Sequence, residues 1–338
     1  MRTFFYLLIL YYLIPSLTYG QEEMDIFELD LDLFVIENPK GENGAFLITH
    51  KGVLVVGAGA TPYEGKKIIS LIRGVTNKPI KYLILTHFHS DHIDGMASFP
   101  SDVKIIAHSE FENNYYKFIG EEREEYINHV FPTQLANMKS QLDSIENKDS
   151  YAYNSLTRKY NEGVDHLEDI KKIEFRKPNI IFTDSYRLKL AEQRIVIEFP
   201  GAAHTSHNTI IKFSNYNTLY AGDLVYNKKF PYTIAEHGAD VFNWIQILED
   251  LSEENIHTVI PGQGRVGKKS LLKRQASYFN KLAAKVEELK LDGFDVEEII
   301  KQCNPADYKL DGNNAQFPIN IKIIYDQLED VRKDWWKF

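Results

Sequence analysis

Apolar and polar positions follow a two-residue period, or run apolar in short stretches, over much of the chain, which is the pattern of strands. Asp30–Glu37 (DLDLFVIE) alternates and then turns apolar, Ala45–Thr49 is short and apolar, and Gly52–Val56 is a continuous apolar run. These read as three consecutive strands with Gly- and Asn-containing turns between them. Over Pro62–Val75 the period changes: Ile68, Ile69, Leu71, Ile72 and Val75 recur at helical spacing. Ile80–Leu85 and Val103–Ala107 return to the strand pattern, and the first of them runs directly into a histidine-rich segment.

From Ser109 to Lys177 the chain becomes charged, tyrosine-rich and helical, so a block of helices reads as inserted there. Strands resume at Tyr186–Leu190, Arg194–Phe199, Thr209–Phe213 and Thr218–Tyr220. Ala239–Leu251 is an amphipathic helix, Thr258–Ile260 a strand, and Lys268–Leu289 a long helix. Pro318–Lys333 is a further helix, in a tail that ends in Trp335-Trp336. Strand series flanked by helices in both halves predict a layered α/β protein, with sheets inside and helices outside. The acidic Glu121–Glu125 reads as a solvated helix face.

Composition then removes several classes. At 338 residues, 43% hydrophobic and 26% charged, the chain can bury a large core and is neither collagen-like, low-complexity nor disulfide-dense. A net charge of −9 with no basic run argues against a nucleic-acid partner, because phosphate neutralisation needs clustered cations. Cys303 is the one cysteine, which excludes an intrachain disulfide and a cysteine-rich metal site. Met1-Arg2, the apolar run Phe4–Leu13 and the small residues Ser16, Thr18 and Gly20 read as a secretory signal peptide cut before Gln21. That run is shorter than the ~20 apolar residues of a membrane span. The expectation is an exported protein, periplasmic or secreted, with no stable membrane insertion after cleavage and a small-molecule substrate as its partner.

The sharpest chemical feature is His87-Phe88-His89-Ser90-Asp91-His92, at the end of the strand Ile80–Leu85. Three imidazoles and a carboxylate so close together suit a divalent ion that takes N and O ligands, zinc above all. In extended chain His87 and His89 point to the same side and can grip one ion. As the chain turns into a helix near Ile93, Asp91 and His92 can face a second. The plainer alternative is a chance cluster of surface histidines. Two later segments, Gly201-Ala202-Ala203-His204-Thr205 and Tyr220-Ala221-Gly222-Asp223, each follow a strand and place a candidate ligand among small neighbours.

The ordered series THFHSDH, GAAHT, YAGD and IPGQG resembles the metallo-β-lactamase superfamily over about Asp30–Leu289, apart from the helical insertion. The resemblance implies a four-layer αββα sandwich with a one- or two-metal site at one edge. With the expected leader at 1–20 set apart, the chain divides into a metallo-β-lactamase-like domain at 21–290, interrupted at 109–177, and a helical extension at 291–338. Carried over residue by residue, His87, His89 and His204 would bind the first metal, Asp91 and His92 the second, and Asp223 would bridge both. A bridging aspartate is closer to the glyoxalase II, lactonase and phosphodiesterase branches than to lactamases proper. Two positions depart from the family. Its second site is usually closed by a histidine in a PGHG loop, where Gln263 offers a weaker, neutral amide oxygen. Its early strand often ends in an aspartate that supports the site, where this strand ends Val56-Gly57, so looser ligand orientation is expected. His207 and His237 are candidates to line the substrate pocket.

The resemblance implies a zinc-dependent hydrolase, with one or two ions and manganese or iron as alternatives. A metal-bound hydroxide, held by the catalytic Asp91, would attack an ester, thioester, lactone, lactam or phosphodiester. The competing class is a metal- or ligand-binding protein of the same fold whose catalysis has lapsed, motivated by Gln263 and Gly57.

Overall fold

The central strands bury apolar side chains on both faces, so each sheet must be covered on both sides. In β3 (Gly44–Thr49), Ala45 and Leu47 face one cluster of apolar side chains while Phe46 and Ile48 face another. In β4 (Gly52–Val56), Leu54 and Val56 separate from Val53 and Val55 in the same way. The computed structural model describes residues 24–39, 41–312 and 314–334; the expected leader Met1–Gly20 and Trp335-Trp336 lie outside them.

Among the described residues the strands form two sheets. The first follows chain order: β1 (Asp25–Asp30), β2 (Leu33–Glu37), β3, β4, β5 (Ile80–Ile84), β6 (Lys104–His108) and β7 (Ile180–Phe182). It is antiparallel from β1 to β4 and parallel from β4 to β7. The second runs β8 (Ser185–Leu190), β9 (Gln193–Glu198), β10 (Ile210–Phe213), β11 (Thr218–Tyr226), β12 (Thr258–Gln263) and β13 (Gly267–Lys268). Leu33, Leu47, Leu54 and Ile84 meet Ile195, Ile197, Phe213 and Tyr220 between the sheets. The helix Pro62–Val75 covers the outer face of the first sheet, and the helices Val241–Glu253, Ser270–Leu291 and Gln316–Asp334 cover that of the second. The arrangement is the expected αββα sandwich.

Several local expectations change. Asp30–Glu37 is not one strand: β1 ends at Asp30, and Asp32, with φ 64°, turns the chain into β2. Aspartate is one of the few side chains that tolerates that left-handed conformation, and it hides in an alternating pattern. β7 and β13, at three and two residues, are too short to show a period. Between β6 and β7 the helical excursion has its own small core of Tyr126, Phe131, Leu135, Leu167 and Ile170. Its first turns touch the body of the protein: Asn114 Nδ2 donates to His207 Nδ1 at 2.8 Å, and the Phe118 ring stacks on Phe88. Glu121–Glu125 is not simply a solvated face either. Arg123 turns inward to the buried Asp94 and also donates to Ser90 Oγ at 3.1 Å and Tyr115 OH at 2.8 Å. No helix among the described residues is long and apolar enough to cross a membrane. The last helix, through Phe317, Ile321, Ile324 and Leu328, joins the same core as Trp244 and Phe279.

The loop after β4 is laced to the histidine segment. Ala58 N–H donates to His92 O at 2.9 Å and Gly95 N–H to Gly59 O at 3.0 Å. This approach leaves no room for a side chain at 95, where a Cβ would stand 2.1 Å from Ala58 O and 2.9 Å from Gly65 Cα. Because both obstacles are backbone, Gly95→Ala should destabilise the protein by about 2–3 kcal/mol or more. Urea unfolding checks this; a loss below about 0.5 kcal/mol would show that the two segments can separate freely.

Candidate metal centre

β5 lies between two parallel neighbours, and its last carbonyls and amides are tied to β4 and β6, so Thr86–His92 leaves the sheet at a fixed point. Thr209 N–H donates to Thr86 O at 2.9 Å, which joins this segment to the second sheet. Asp223 does not sit in a loop after a strand, as its sequence suggested. It lies inside β11, which continues to Tyr226 past an irregularity at Gly222, where φ is 53°. His204 comes from the β9–β10 connection.

These elements bring one set of donors together. A nitrogen each from His87, His89 and His204 lies within 4.8 Å of the others, and the same holds for atoms of His87, His92 and Asp223. Each histidine has one nitrogen held by the scaffold. His87 Nδ1 is 3.1 Å from Thr86 Oγ1, His204 Nδ1 is 2.9 Å from the Tyr232 carbonyl, and His92 Nδ1 contacts the Glu42 carboxylate. His89 Nε2 is 2.8 Å from His237 Nδ1, which leaves its Nδ1 facing His204 Nε2 at 3.0 Å. His92 Nε2 lies 3.6 Å from Asp91 Oδ2 and 3.5 Å from Asp223 Oδ2, and the latter oxygen is 3.6 Å from His204 Nε2. Tyr226 donates its hydroxyl proton to the same Asp223 oxygen.

His87 Nε2, His92 Nε2 and Asp223 Oδ1 are buried without a hydrogen-bond partner. A buried polar atom left unpaired costs about 1–3 kcal/mol. Three such atoms within one cluster of imidazoles and carboxylates fit a divalent cation of the kind that takes N and O donors. Asp223 Oδ1 rests against Gly262, where a Cβ would come within 1.9 Å of it. Glycine at 262 is therefore the cradle of that oxygen. Gln263 is buried beside it, with its amide oxygen accepting from Lys229 Nζ at 3.3 Å.

A family model of the metallo-beta-lactamase superfamily matches residues 41–263. The chain belongs to the metallo-β-lactamase superfamily. Of its relatives, the metallo-beta-lactamase type 2 of Bacillus sp. (strain 170) is 22% identical over 232 residues, 68% of this chain and 69% of that protein. A linear primary-alkylsulfatase of Pseudomonas sp. (strain ATCC 19151) is 34% identical over 55 residues, and the match spans 16% of this chain and only 10% of that protein. A stereoselective inverting sec-alkylsulfatase of Pseudomonas sp. shares the fold with a TM-score of 0.62 at 14% identity, over 90% of this chain and 50% of that one. Members of this superfamily are metal-dependent hydrolases, and the histidine cluster here is placed to hold such a metal.

Electrostatics within this superfamily member divides the donors. Burial, then the neighbouring imidazoles, holds His87 and His89 well below the usual histidine range, so both are neutral and free to ligate. Burial would lower His92 as well, but Glu42, Asp91 and Asp223 together carry it well above that range. Burial lifts Glu42 to about 7 against the pull of His92, and lifts Asp94 to about 7 against Arg123. For Asp223, burial is outweighed by His92, His204 and the Tyr226 hydroxyl, which keep the carboxylate below its usual value. Asp91 is the donor at the mouth, with its side chain 20% exposed.

The two pocket candidates are placed differently. His237 packs on Phe88 and Phe118 and holds His89 from behind. His207 has no exposed surface; it is wedged between Phe88 and His108 and bonded to Asn114. Glu42, Asn43, Tyr226 and Lys229 were not foreseen, because single polar residues in turns or at strand ends carry no periodic signal.

Removal of one ligand imidazole leaves too few donors for a tight tetrahedral site. His89→Ala should lose most of the metal held by His87 and His204, as measured by metal analysis after dialysis; undiminished stoichiometry would refute the assignment. Burial, then His108, pushes His207 down to about 3, so it stays neutral when folded but takes a proton in the unfolded chain near pH 6.5. Below that pH the unfolded state binds more protons, so stability falls with acidification. Between about pH 6.5 and 4.5 this costs the metal-free protein on the order of 2 kcal/mol. Denaturant titrations across that window should show a shallower loss for His207→Asn than for wild type, and equal slopes would show that His207 is not held neutral.

Proposed function

We propose that the protein is a divalent-cation-dependent hydrolase of small molecules, with zinc as its ion. The observation that carries this reading is that buried donor atoms of His87, His89 and His204, and of His87, His92 and Asp223, lie within 4.8 Å of one another, while His87 Nε2, His92 Nε2 and Asp223 Oδ1 have no hydrogen-bond partner. His87, His89 and His204 would hold the first ion and Asp91 and His92 a second. Asp223, whose Oδ2 lies between His92 and His204, would serve both. A cation bound there supplies Lewis acidity to the oxygen of the scissile bond and acidifies water toward neutral pH.

The remaining work falls to the chain itself. Asp91 is buried enough to be raised in pKa, chiefly by desolvation, yet open at the mouth; it orients the attacking water and takes its proton. His237 holds the ring of His89 in place, and the Tyr232 carbonyl fixes the tautomer of His204. Phe88 and Phe118 close one wall against solvent. Lys229 brings a positive charge to the Gln263 corner, which favours a substrate with an anionic group. The names of the relatives speak of lactams and alkyl sulfates, and carboxylic esters, lactones, thioesters and phosphodiesters are further bonds that such a site would polarise in the same way.

The Lys229–Gln263 contact also favours a second reading. In it, the corner for a second ion is filled by the ammonium, and the protein binds a metal or ligand without turnover.

A panel spanning these bond types, run on zinc-loaded, chelated and reloaded protein, tests the proposal. Hydrolysis of at least one class should vanish on chelation and return with zinc. Asp91→Asn should keep the first ion and lower kcat by about 100-fold or more. A fully metallated protein inert to every class would favour the binding reading, and failure to bind any divalent cation would overturn both.

A further inference from the structure

β4 is followed by Gly57, which has φ 83°, and a Cβ at that position would lie 3.6 Å from Glu42 Oε2. The place where a carboxylate from position 57 would act is thus already taken by a carboxylate from another element. Glu42 belongs to the turn between β2 and β3 and is 7% exposed. One of its oxygens contacts His92 Nδ1, and the other accepts from Tyr220 OH at 2.8 Å. We propose that Glu42 is the positioning residue of the second half of the site. It supplies from the β2–β3 turn the support that β4 lacks, and Gly57 leaves the space that Glu42 fills. This rests on the reading of His92 as a metal ligand.

The argument is one of tautomer and direction. An imidazole ligates through a nitrogen that carries no proton, so the proton must be kept on the other nitrogen. An ionised carboxylate has no proton to offer and can only accept, so it keeps a proton of His92 on Nδ1 and makes Nε2 the nitrogen that gives up its proton to a cation. Nε2 is the atom that faces Asp91 and Asp223. Thr86 Oγ1 also lies 3.3 Å from His92 Nδ1, but a hydroxyl can donate or accept and so selects neither tautomer.

The adjacent residue repeats the device on the opposite sheet. Asn43 N–H donates to Gly262 O at 2.7 Å, and Asn43 Nδ2 donates to Pro261 O at 3.0 Å and Gly264 O at 2.7 Å. Gly262 in turn abuts Asp223 Oδ1. Glu42 therefore aims a donor of the first sheet while Asn43 fixes the cradle of a donor of the second. The looser ligand orientation expected from Gly57 does not follow, because the support has moved rather than vanished.

The test compares zinc affinity, by competition with a chelator, in wild type, Glu42→Ala, Glu42→Gln and the double variant Glu42→Ala/Gly57→Asp. Glu42→Ala should retain the first ion and bind the second about 10- to 100-fold more weakly. The double variant, with a carboxylate aimed into the vacated space, should recover about tenfold of that loss. Gly57→Asp alone sets two acids face to face and should unfold at a lower temperature than wild type. If Glu42→Ala does not fold, Glu42→Gln carries the test: its amide can present either a donor or an acceptor to Nδ1, so the second ion should weaken by about fivefold or more. Wild-type affinity for the second ion in Glu42→Ala or Glu42→Gln overturns the inference, as does a double variant no tighter than Glu42→Ala. A wild type that holds no ion at His92 overturns the metal reading of that residue instead.

Discussion

Imidazoles and carboxylates from two different sheets share a pocket that water barely reaches, and a fold can keep them there only if every donor has one atom anchored and one atom free. Anchoring sets the direction of each ring, and for His92 and His204, whose anchors accept, the tautomer as well; the remaining donor atoms then converge. Thr86, Tyr232, His237 and Glu42 each hold one histidine from behind. Tyr226 does the same for Asp223. Unpaired buried atoms would make such a cluster a liability in a protein with no cation to offer, since each costs more than a typical hydrogen bond returns. The rest of the architecture can be understood as the means of delivering these atoms to one point.

Delivery depends on backbone meeting backbone. The segment after β4 and the segment after β5 are joined by amide–carbonyl bonds at Ala58–His92 and Gly59–Gly95, a distance that Gly95 and Gly65 alone permit. On the other sheet, Gly262 lets β12 pass against Asp223, and Gly222 lets β11 bend within its own length. Close approach of main chains is stiffer than side-chain packing, because neither partner can adopt another rotamer to relieve it. That stiffness suits ligands whose positions must hold to a fraction of an ångström.

Much of this was legible in the chain. The spacing of His87, His89, Asp91 and His92 after an apolar strand pointed to a metal loop, and the small residues around His204 and Asp223 pointed to them as partners; the structure brings these side chains together. Pro62–Val75 has the bounds its periodicity predicted, with Thr61 as its cap. What failed was of two kinds. Elements too short to repeat, such as β7 and β13, and the turn at Asp32 left no pattern to find. Glu42 failed for a deeper reason: its role is set by His92, fifty positions away, and a lone glutamate in a polar turn looks like any other. The missing acid after β4 was visible, while the place from which its replacement comes depends on how three strands stack.

The helical insertion is bound into the same system rather than merely set beside it. Arg123 lies between two π-helical turns, Tyr116–Gly120 and Tyr126–Val130, each of which widens the helix by a residue and resets the direction of the side chains that follow. The result is a guanidinium that reaches Asp94 and Ser90, the two residues flanking Asp91-His92-Ile93. Asp94 is buried and would be costly there as a lone charge, so the histidine loop draws its charge balance from Arg123 of the insertion. In the same stretch Phe118 covers Phe88 and His237, so the insertion backs both that aromatic ring and the imidazole that holds His89. Any change that moves this helix also moves the contacts that hold the segment of His89, Asp91 and His92, so the insertion and the donor cluster are mechanically coupled.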